Sequence, residues 1–266
     1  MGTVLISYAV RKGCNVSTAD DARTSFGCYG VDVGEPETPR RGPRQRVTVD
    51  EIVGKAVTLA DERGLTAVSM RALAAELGVG PMTLYTYVPT RDVLVALMVD
   101  HVAGDPVPEP GSTVRESLAQ VARHLRAEYL AHPWLIDANP WRQVLGPRRL
   151  ARYERQLELL EPLDISDLDR DHILGLLSAF VTGNAREALA ADAAVTDSGM
   201  TDVEWWEVVA PELDAVIPKG GFPLADRVGT VAGEHHQAPG SPPDEVFDFG
   251  LTRLLDGLVP LIGGDV

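Results

Sequence analysis

Residues 69–88 restrict the fold most strongly, because they hold two short helical patterns separated by a glycine-rich turn. The first pattern, SMRALAAEL, places Leu73, Ala74 and Leu77 on one side of a helix. The turn GVG follows, and we expect a positive φ at its first residue, Gly78. Small side chains in the first helix let a second helix approach closely, so the segment predicts a compact helix pair.

The second helix of this pair is predicted to be short and to leave one face open. Pro81 suits the first turn of a helix, and Pro89 prevents much continuation beyond Tyr87. The side chains predicted to pack between the two helices are Leu73, Ala74, Leu77, Val79 and Leu84. The opposite face offers Pro81, Met82, Thr83, Tyr85, Thr86 and Tyr87. Such a helix-turn-helix places its second helix in the DNA major groove.

The residue types on the open face suit contact with DNA. Threonine can bond a base or a phosphate, and methionine and threonine methyl groups can contact a thymine methyl. Tyrosine hydroxyls suit phosphates, which position a protein without reading sequence. The alternative for Tyr85 and Tyr87 is half-buried packing.

Two further helices are predicted to flank the pair. Thr48 and Glu51 form a capping-box pattern that starts the first helix, and Gly64 stops it. Ser69 is the N-cap candidate of the first helix of the pair, and Thr90 is that of the flanking helix after the pair. The apolar face of the flanking helix before the pair contains Ile52, Val53, Ala56, Leu59 and Ala60, and that of the flanking helix after it contains Val93, Leu94, Leu97 and Met98.

The remainder of the chain also has helical periodicity. Predicted helices cover residues 113–131, 147–161, 167–191, 202–216 and 244–262, with shorter pieces near Trp134 and Leu224. No β-alternation of useful length occurs, so we predict an all-α class. The predicted organisation is a poorly ordered extension at residues 1–39, a basic arm at 40–46, a helix-turn-helix domain at 47–103 and a C-terminal domain at 112–262.

The extension gives few signals. It has no sustained periodicity, although Val4–Val10 could form a short strand, and it could also result from an upstream start codon. Cys14 and Cys28 suggest neither a disulfide framework nor a metal site, so a reducing cytoplasm is the simplest compartment. No apolar stretch approaches the ~20 residues that span a bilayer, so we expect no membrane association.

The distribution of charge qualifies the net charge of −15. Residues 102–266 contain 13 basic and 27 acidic side chains, whereas residues 40–101 contain 8 basic and 7 acidic ones. The basic arm, with Arg40, Arg41, Arg44 and Arg46, has no acidic residue. Because phosphate attraction is local and screened beyond ~10 Å, an acidic protein with a basic arm can still bind DNA. The arm could also be only a solubilising linker.

Residues 47–101 resemble the DNA-binding domain of the tetracycline-repressor (TetR) family. The matching motifs are ADERGLTAVSMRALAAELGVG and MTLYTYVPTRDVL. The resemblance implies that Tyr85 contacts phosphate, that Tyr87 fills an aromatic or histidine position, and that Arg91 is a basic contact at the start of the fourth helix. It also implies a base-reading role for Arg71. The implied base-proximal positions are Pro81, Met82, Thr83 and Thr86.

The resemblance continues more weakly over residues 112–262, through Glu204-Trp205-Trp206 and Phe247–Leu258. It implies a homodimer in which residues 167–191 and 244–262 of each subunit form a four-helix interface. The candidate interface residues are Leu176, Phe180, Gly183, Phe247, Leu251, Leu254 and Leu258. The alternative is that both segments only line the core of the single chain. A homodimer would read a double-stranded, pseudo-palindromic operator.

A small hydrophobic effector is the expected ligand of the C-terminal domain. Its candidate aromatic contacts are Trp134, Trp141, Tyr153, Phe180 and Trp206, with Asn184 or His124 as a polar partner. Each aromatic could instead be a core residue. We place His235 and His236 in a loop at residues 233–242, without an obvious third metal ligand, and expect no metal or cofactor.

Two other functional classes remain as alternatives. The sequence contains no GxSxG, HExxH, phosphate-loop or dinucleotide motif, which disfavours an enzyme. A DNA-binding activator or architectural protein without a ligand shares every feature of residues 40–101. The prediction of a ligand-released repressor therefore depends on the family resemblance.

Overall fold

The computed structural model describes residues 25–26, 31–32, 47–104, 109–138, 146–218, 220–236 and 240–262. Ser25–Phe26 (β1) pairs antiparallel with Val31–Asp32 (β2). The helices are α1 Val49–Arg63, α2 Met70–Glu76, α3 Pro81–Tyr87, α4 Arg91–Val102, α5 Val114–Ala131, α6 Trp134–Asp137, α7 Pro147–Glu158, α8 Asp167–Ser198, α9 Asp202–Val216, α10 Pro223–His236 and α11 Pro243–Ile262. The predicted all-α class is confirmed.

The chain divides into two compact units. The first comprises Met1–Glu109 and Ala131–His172, and the second comprises Pro110–Leu130 and Ile173–Val266. The domain limits expected from the sequence, 47–103 and 112–262, stay a prediction. No helix among the described residues is both long enough and apolar enough to cross a membrane.

Helix α1 shows how local signals build the first unit. The Glu51 amide donates to Thr48 Oγ1 over 3.2 Å, and the Thr48 amide donates to Glu51 Oε2 over 2.8 Å, which completes the predicted capping box. Gly64 ends the helix with a φ of +77°, a conformation that favours glycine. The buried face consists of Ile52, Val53, Ala56, Val57, Leu59 and Ala60.

In the second unit, the longest helix packs against the closing helix. Residues of α8 that are buried include Ile173, Leu174, Leu177 and Val181. The ring of Phe180 stacks on that of Phe247 in α11, with centroids 5.6 Å apart. A Cβ on Gly250 would lie 2.6 Å from the Phe180 ring, so this glycine permits the close contact.

A polar network also links α5, α8 and α11. Arg126 of α5 donates from Nε to Asn184 Oδ1 over 2.7 Å and also pairs with Asp244. The Asn184 amide nitrogen donates to the Pro243 carbonyl over 2.8 Å. Since both ends of the buried Asn184 amide have partners, the burial of this polar residue is compensated.

Two expected boundaries were wrong. Helix α8 continues to Ser198 rather than residue 191, because its natural stop is Gly199, which has a φ of +66°. Helix α10 is not a short piece near Leu224 but a helix of 14 residues that ends at His236. The loop predicted at residues 233–242 is therefore wrong in its first part, and His235 and His236 lie in the last turn of α10.

Candidate nucleic-acid interface

The helix pair α2 and α3 is built by contacts within a few residues. The Ser69 hydroxyl accepts from the Ala72 amide over 3.2 Å, which confirms Ser69 as the N-cap of α2. The turn closes when the Val79 amide donates to the Ala74 carbonyl over 3.0 Å. Gly78 in that turn has a φ of +65°, as expected for a position that favours glycine.

Helix α3 is supported from one side. Leu84 in its middle and Val88 directly after it are both 0% exposed. Pro81 occupies the first turn, where a missing amide hydrogen costs nothing, and the Val88 amide donates to the Leu84 carbonyl over 2.8 Å. The buried side fixes the helix, so its opposite side is presented in a defined orientation.

The presented side carries the residues expected from the sequence. Met82 is 78% exposed and Tyr85 is 44% exposed. The remaining members are Pro81, Thr83 and Thr86, which are exposed, and Tyr87, which is half-buried. The Thr86 hydroxyl donates to the Met82 carbonyl over 3.2 Å, so its proton is engaged within the helix. This surface, which we call the α3 face, is a mixed apolar and hydroxyl surface without a charged side chain.

Arg91 has a structural partner that sequence reasoning missed. Its Nε donates to the Val68 carbonyl over 3.0 Å, and its Nη2 donates to the Leu65 carbonyl over 2.8 Å. The side chain therefore ties the start of α4 to the turn Leu65–Ala67. No local spacing signals a contact of this kind, because its partners lie 23 and 26 residues away. Contact of Arg91 with phosphate stays a prediction.

The remaining predicted DNA contacts are Arg71 and the basic arm. Arg71 is exposed on α2. The basic arm, which contains Arg40, Arg41, Arg44 and Arg46, lies outside the described residues. The roles proposed for both stay predictions.

A buried carboxylate joins α4 to α7 within the first unit. Asp100, 5% exposed, accepts the Arg149 amide over 3.0 Å at the start of α7, where Gly146 offers no capping side chain. Burial raises the pKa of Asp100, and its contacts with Arg149 and Arg148 oppose that rise. A Cβ on Gly146 would lie 2.2 Å from the Asp100 carboxyl, so only glycine leaves room for this cap.

A second carboxylate joins α1 to α6. Asp61 Oδ1 lies 2.7 Å from the donating Nε1 of Trp134 and 2.8 Å from Nδ1 of His132. Trp134 is only 2% exposed. This aromatic residue, expected to contact a ligand, is held in the packing of the first unit, and its contact with an effector stays a prediction.

The other effector-contact candidates are distributed over both units. In the first unit, the Tyr153 hydroxyl donates to Asp171 over 2.9 Å, and burial together with this carboxylate raises the pKa of Tyr153 to about 12. In the second unit, Phe180 is half-buried against Phe247, and Trp206 is 42% exposed. Trp141 lies outside the described residues.

The candidate dimer residues also fall into distinct groups. Leu176 is 49% exposed, and Gly183 is exposed as well. Phe180 and Leu254 are half-buried, whereas Phe247, Leu251 and Leu258 are buried within the single chain. The buried residues thus contribute to the core of one chain, and the interface role of all seven candidates stays a prediction.

Comparison with known families accounts for most of the chain. Residues 46–98 match the family described as bacterial regulatory proteins, tetR family. Residues 107–261 match the family described as tetracyclin repressor-like, C-terminal domain. The HTH-type transcriptional repressor DrrR1 of Streptomyces coeruleorubidus is 36% identical over 227 residues, which cover 84% of this chain and 82% of that protein.

The chain is also similar to solved structures of TetR-family proteins. ActR of Streptomyces coelicolor in complex with actinorhodin matches with a TM-score of 0.66 and 31% identity, covering 83% of this chain and 99% of ActR. A TetR variant of Acinetobacter baumannii in complex with minocycline matches with a TM-score of 0.58, covering 82% of this chain and 99% of that one. Its 18% identity makes it a likeness of fold alone.

Proposed function

This chain belongs to the tetR family of bacterial regulatory proteins, which bind DNA and regulate transcription, and we propose that it is a repressor released from its operator by a small aromatic molecule. Membership of a family of non-enzymatic regulators sets aside the enzyme alternative. The repressor assignment is supported by DrrR1, which is named a transcriptional repressor.

The observation that carries the proposal is the α3 face. A short helix with a fully buried Leu84 and a 78% exposed Met82 presents its outer residues without loss of support. In the proposed complex this face enters the major groove, where Thr83 and Met82 meet base edges. The Tyr85 hydroxyl and the remaining donors of Arg91 contact phosphates, with Arg71 and the basic arm adding further contacts.

A homodimer provides the second recognition helix. Two α3 helices related by a two-fold axis would read half-sites roughly 34–36 Å apart. We propose that α8 and α11 of two chains form the interface. This is supported by the large apolar side chains that those helices expose in one chain, which include Leu176, Val246, Phe249 and Val259.

The effector is proposed to be largely apolar and aromatic. Support comes from ActR, whose structure was solved in complex with actinorhodin. The contacts proposed in the second unit are Phe180, Asn184 and Trp206. Asn184 already accepts one bond from Arg126 and donates one to Pro243, so an effector can use the second lone pair of its oxygen or the second hydrogen of its nitrogen.

Selection of bound DNA from a random pool by the full chain tests the first part of the proposal. We expect enriched inverted repeats, which a homodimer requires. Binding to the enriched sequence is then measured with and without actinorhodin as the probe, and we expect the probe to weaken it. Enriched sequences without two-fold symmetry would contradict the homodimer, and binding unaffected by this and related aromatic compounds would contradict the effector proposal and favour a ligand-independent regulator.

Variants on the α3 face assign the individual contacts. Tyr85→Phe should weaken binding to all sequences and reduce its salt dependence, whereas Thr83→Val should change sequence preference. Arg91→Ala should also reduce the salt dependence, but it removes bonds to Leu65 and Val68 as well. Arg91→Lys, which keeps the charge, and thermal unfolding of both variants separate the two effects. An unchanged salt dependence in Arg91→Ala would refute its phosphate contact.

A further inference from the structure

The end of α10 and the start of α11 bring together two histidines and a carboxylate. Potential ligand atoms of His235, His236 and Glu245 all lie within 4.8 Å of one another. The two imidazole rings meet edge to face with centroids 4.7 Å apart. The sequence suggested a loop here without an obvious third ligand. The two histidines instead lie in the last turn of α10, and Glu245 is close enough to be that third ligand.

The burial and the unpaired ring nitrogen of His236 indicate that this cluster can bind a further partner. Its side chain is only 10% exposed, and its Nδ1 lies 3.3 Å from Glu245 Oε1. That nitrogen is nevertheless buried without a hydrogen-bond partner. Buried polar atoms are normally satisfied, so an unpaired nitrogen facing a carboxylate calls for a further partner. A cation between the two atoms would satisfy both.

We propose that His235, His236 and Glu245 bind a divalent transition-metal ion of the zinc class. Two ligand atoms that each lie about 2.0–2.1 Å from a tetrahedral zinc ion are ~3.3 Å apart. The distance from His236 Nδ1 to Glu245 Oε1 is the same, 3.3 Å. His235 and Glu245 are exposed, so rotation of their side chains can close the wider gaps. Imidazole nitrogens with one carboxylate suit zinc, whereas magnesium and calcium prefer oxygen ligands.

The surroundings allow an ion to enter and leave a coordination position open. A cleft of about 350 Å³ opens beside the histidines and is lined by Arg227, Val228, Val231, Ala232, His235 and His236. Three protein ligands leave the fourth position of a tetrahedral ion to water or to another small ligand. The bound ion would fix the last turn of α10 to the first turn of α11.

The ion would act on a helix that is otherwise weakly held. Helix α10 contains no buried residue, whereas Asp244, next to Glu245, pairs with Arg126 of α5. A metal bridge therefore links α10 to the packed part of the second unit. Since an ion that binds only the folded chain stabilises it, zinc should raise the unfolding temperature.

Zinc titration of the full, tag-free chain by calorimetry tests the site, in a background with Cys14→Ser and Cys28→Ser so that thiolates cannot contribute. We expect one zinc ion per chain, with no competition from excess magnesium. His235→Ala and Glu245→Gln alter exposed residues and should fold. Each should weaken zinc binding more than about tenfold, since even outer-shell changes cost ten- to a hundredfold.

His172→Ala is the matched control, because it removes an exposed histidine outside the cluster. It should bind zinc as the parent does, and zinc should raise the unfolding temperature of the parent and of His172→Ala but not of His235→Ala. Failure of the parent to bind zinc at one ion per chain, or equal affinity in His235→Ala and His172→Ala, would overturn the proposal. These measurements involve no DNA, so their outcome is independent of the proposed repressor function.

Discussion

The α3 face and the segment formed by α9 and α10 both expose large apolar side chains, but they are supported differently. Beneath the α3 face lie Leu84 and Val88, both 0% exposed. Helices α9 and α10 contain no buried residue. Their exposed apolar side chains include Trp205, Trp206, Val208, Leu224, Val228 and Val231.

The two regions therefore differ in what stabilises their helices. Isolated helices of these lengths are marginal in water, so helices depend on packing for most of their stability. Helix α3 has only 7 residues but is fixed by its buried side. Helices α9 and α10 have 15 and 14 residues and depend within one chain on local terms such as caps. Exposure on α3 thus indicates a preformed surface, whereas exposure on α9 and α10 indicates a segment with low local stability.

The largest expected effect comes from deleting one aliphatic side chain in each region. Leu84→Ala should lower the free energy of unfolding by about 2–5 kcal/mol, because it leaves a cavity beneath α3. Val228→Ala should change it by no more than ~0.5 kcal/mol, because Val228 is 60% exposed. Urea unfolding of both variants measures the difference. Similar costs would show that α10 is covered in solution as α3 is in the core.

The next effect concerns glycines of the first unit. Gly146→Ala should lower the free energy of unfolding by about 1–3 kcal/mol, because its Cβ displaces Asp100 and leaves the Arg149 amide unpaired. Gly54→Ala in α1 meets nothing within 4 Å and should stabilise the chain by up to ~1 kcal/mol. Thermal unfolding compares the two. A neutral Gly146→Ala would mean that Asp100 does not cap α7.

A smaller effect compares identical caps on differently supported helices. Thr48 in α1 and Thr201 in α9 each form a complete capping box. Thr48→Ala should cost about 1 kcal/mol of global stability, because α1 belongs to a buried core. Thr201→Ala should cost less than half as much globally, while amide hydrogen exchange in α9 accelerates. Equal global costs would contradict the low local stability of α9.

The smallest effect is a pair of opposite pH dependences. Burial raises the pKa of Asp100, so the folded state holds its proton more tightly and stability falls as pH rises from 3.8 through the raised value. Hydrogen bonds from Thr201 lower the pKa of exposed Glu204, so its contribution is present above 4.5 and is lost as pH falls through the lowered value.

Unfolding measured from acid to neutral pH checks both signs. Relative to the parent, Asp100→Asn should remove a decline in stability with rising pH. Glu204→Gln should remove a gain over the range just below pH 4.5. The same sign for both variants would refute the assignment of burial to one carboxylate and exposure to the other.

Sequence reasoning found the features that depend on near neighbours. The capping box of Thr48 and Glu51, the N-cap at Ser69, the turn at Gly78 and the Pro81 start of α3 are all present as predicted. These features work because side chains, amides and φ angles act on each other within about one helical turn. The exposed and buried faces of α3 follow from the same periodicity.

Contacts between distant parts of the chain could not be predicted in this way. The bond from Arg91 to Val68 joins residues 23 apart, and the bond from Arg149 to Asp100 joins residues 49 apart. No spacing rule connects such pairs, because they meet only when separate helices pack. The end of α10 was misplaced because its signals are weak, and this hid the approach of Glu245 to the histidines.

The sequence by itself determined the helices of the DNA-binding part, their order and the side chains that α3 presents, because these depend on caps, turns and periodicity over a few residues. Tertiary structure decided which polar groups meet: the carbonyls that hold Arg91, the helix end that Asp100 caps, and the carboxylate that faces His236. These choices depend on how helices distant in sequence are oriented in the core, and that orientation results from the packing of many side chains at once.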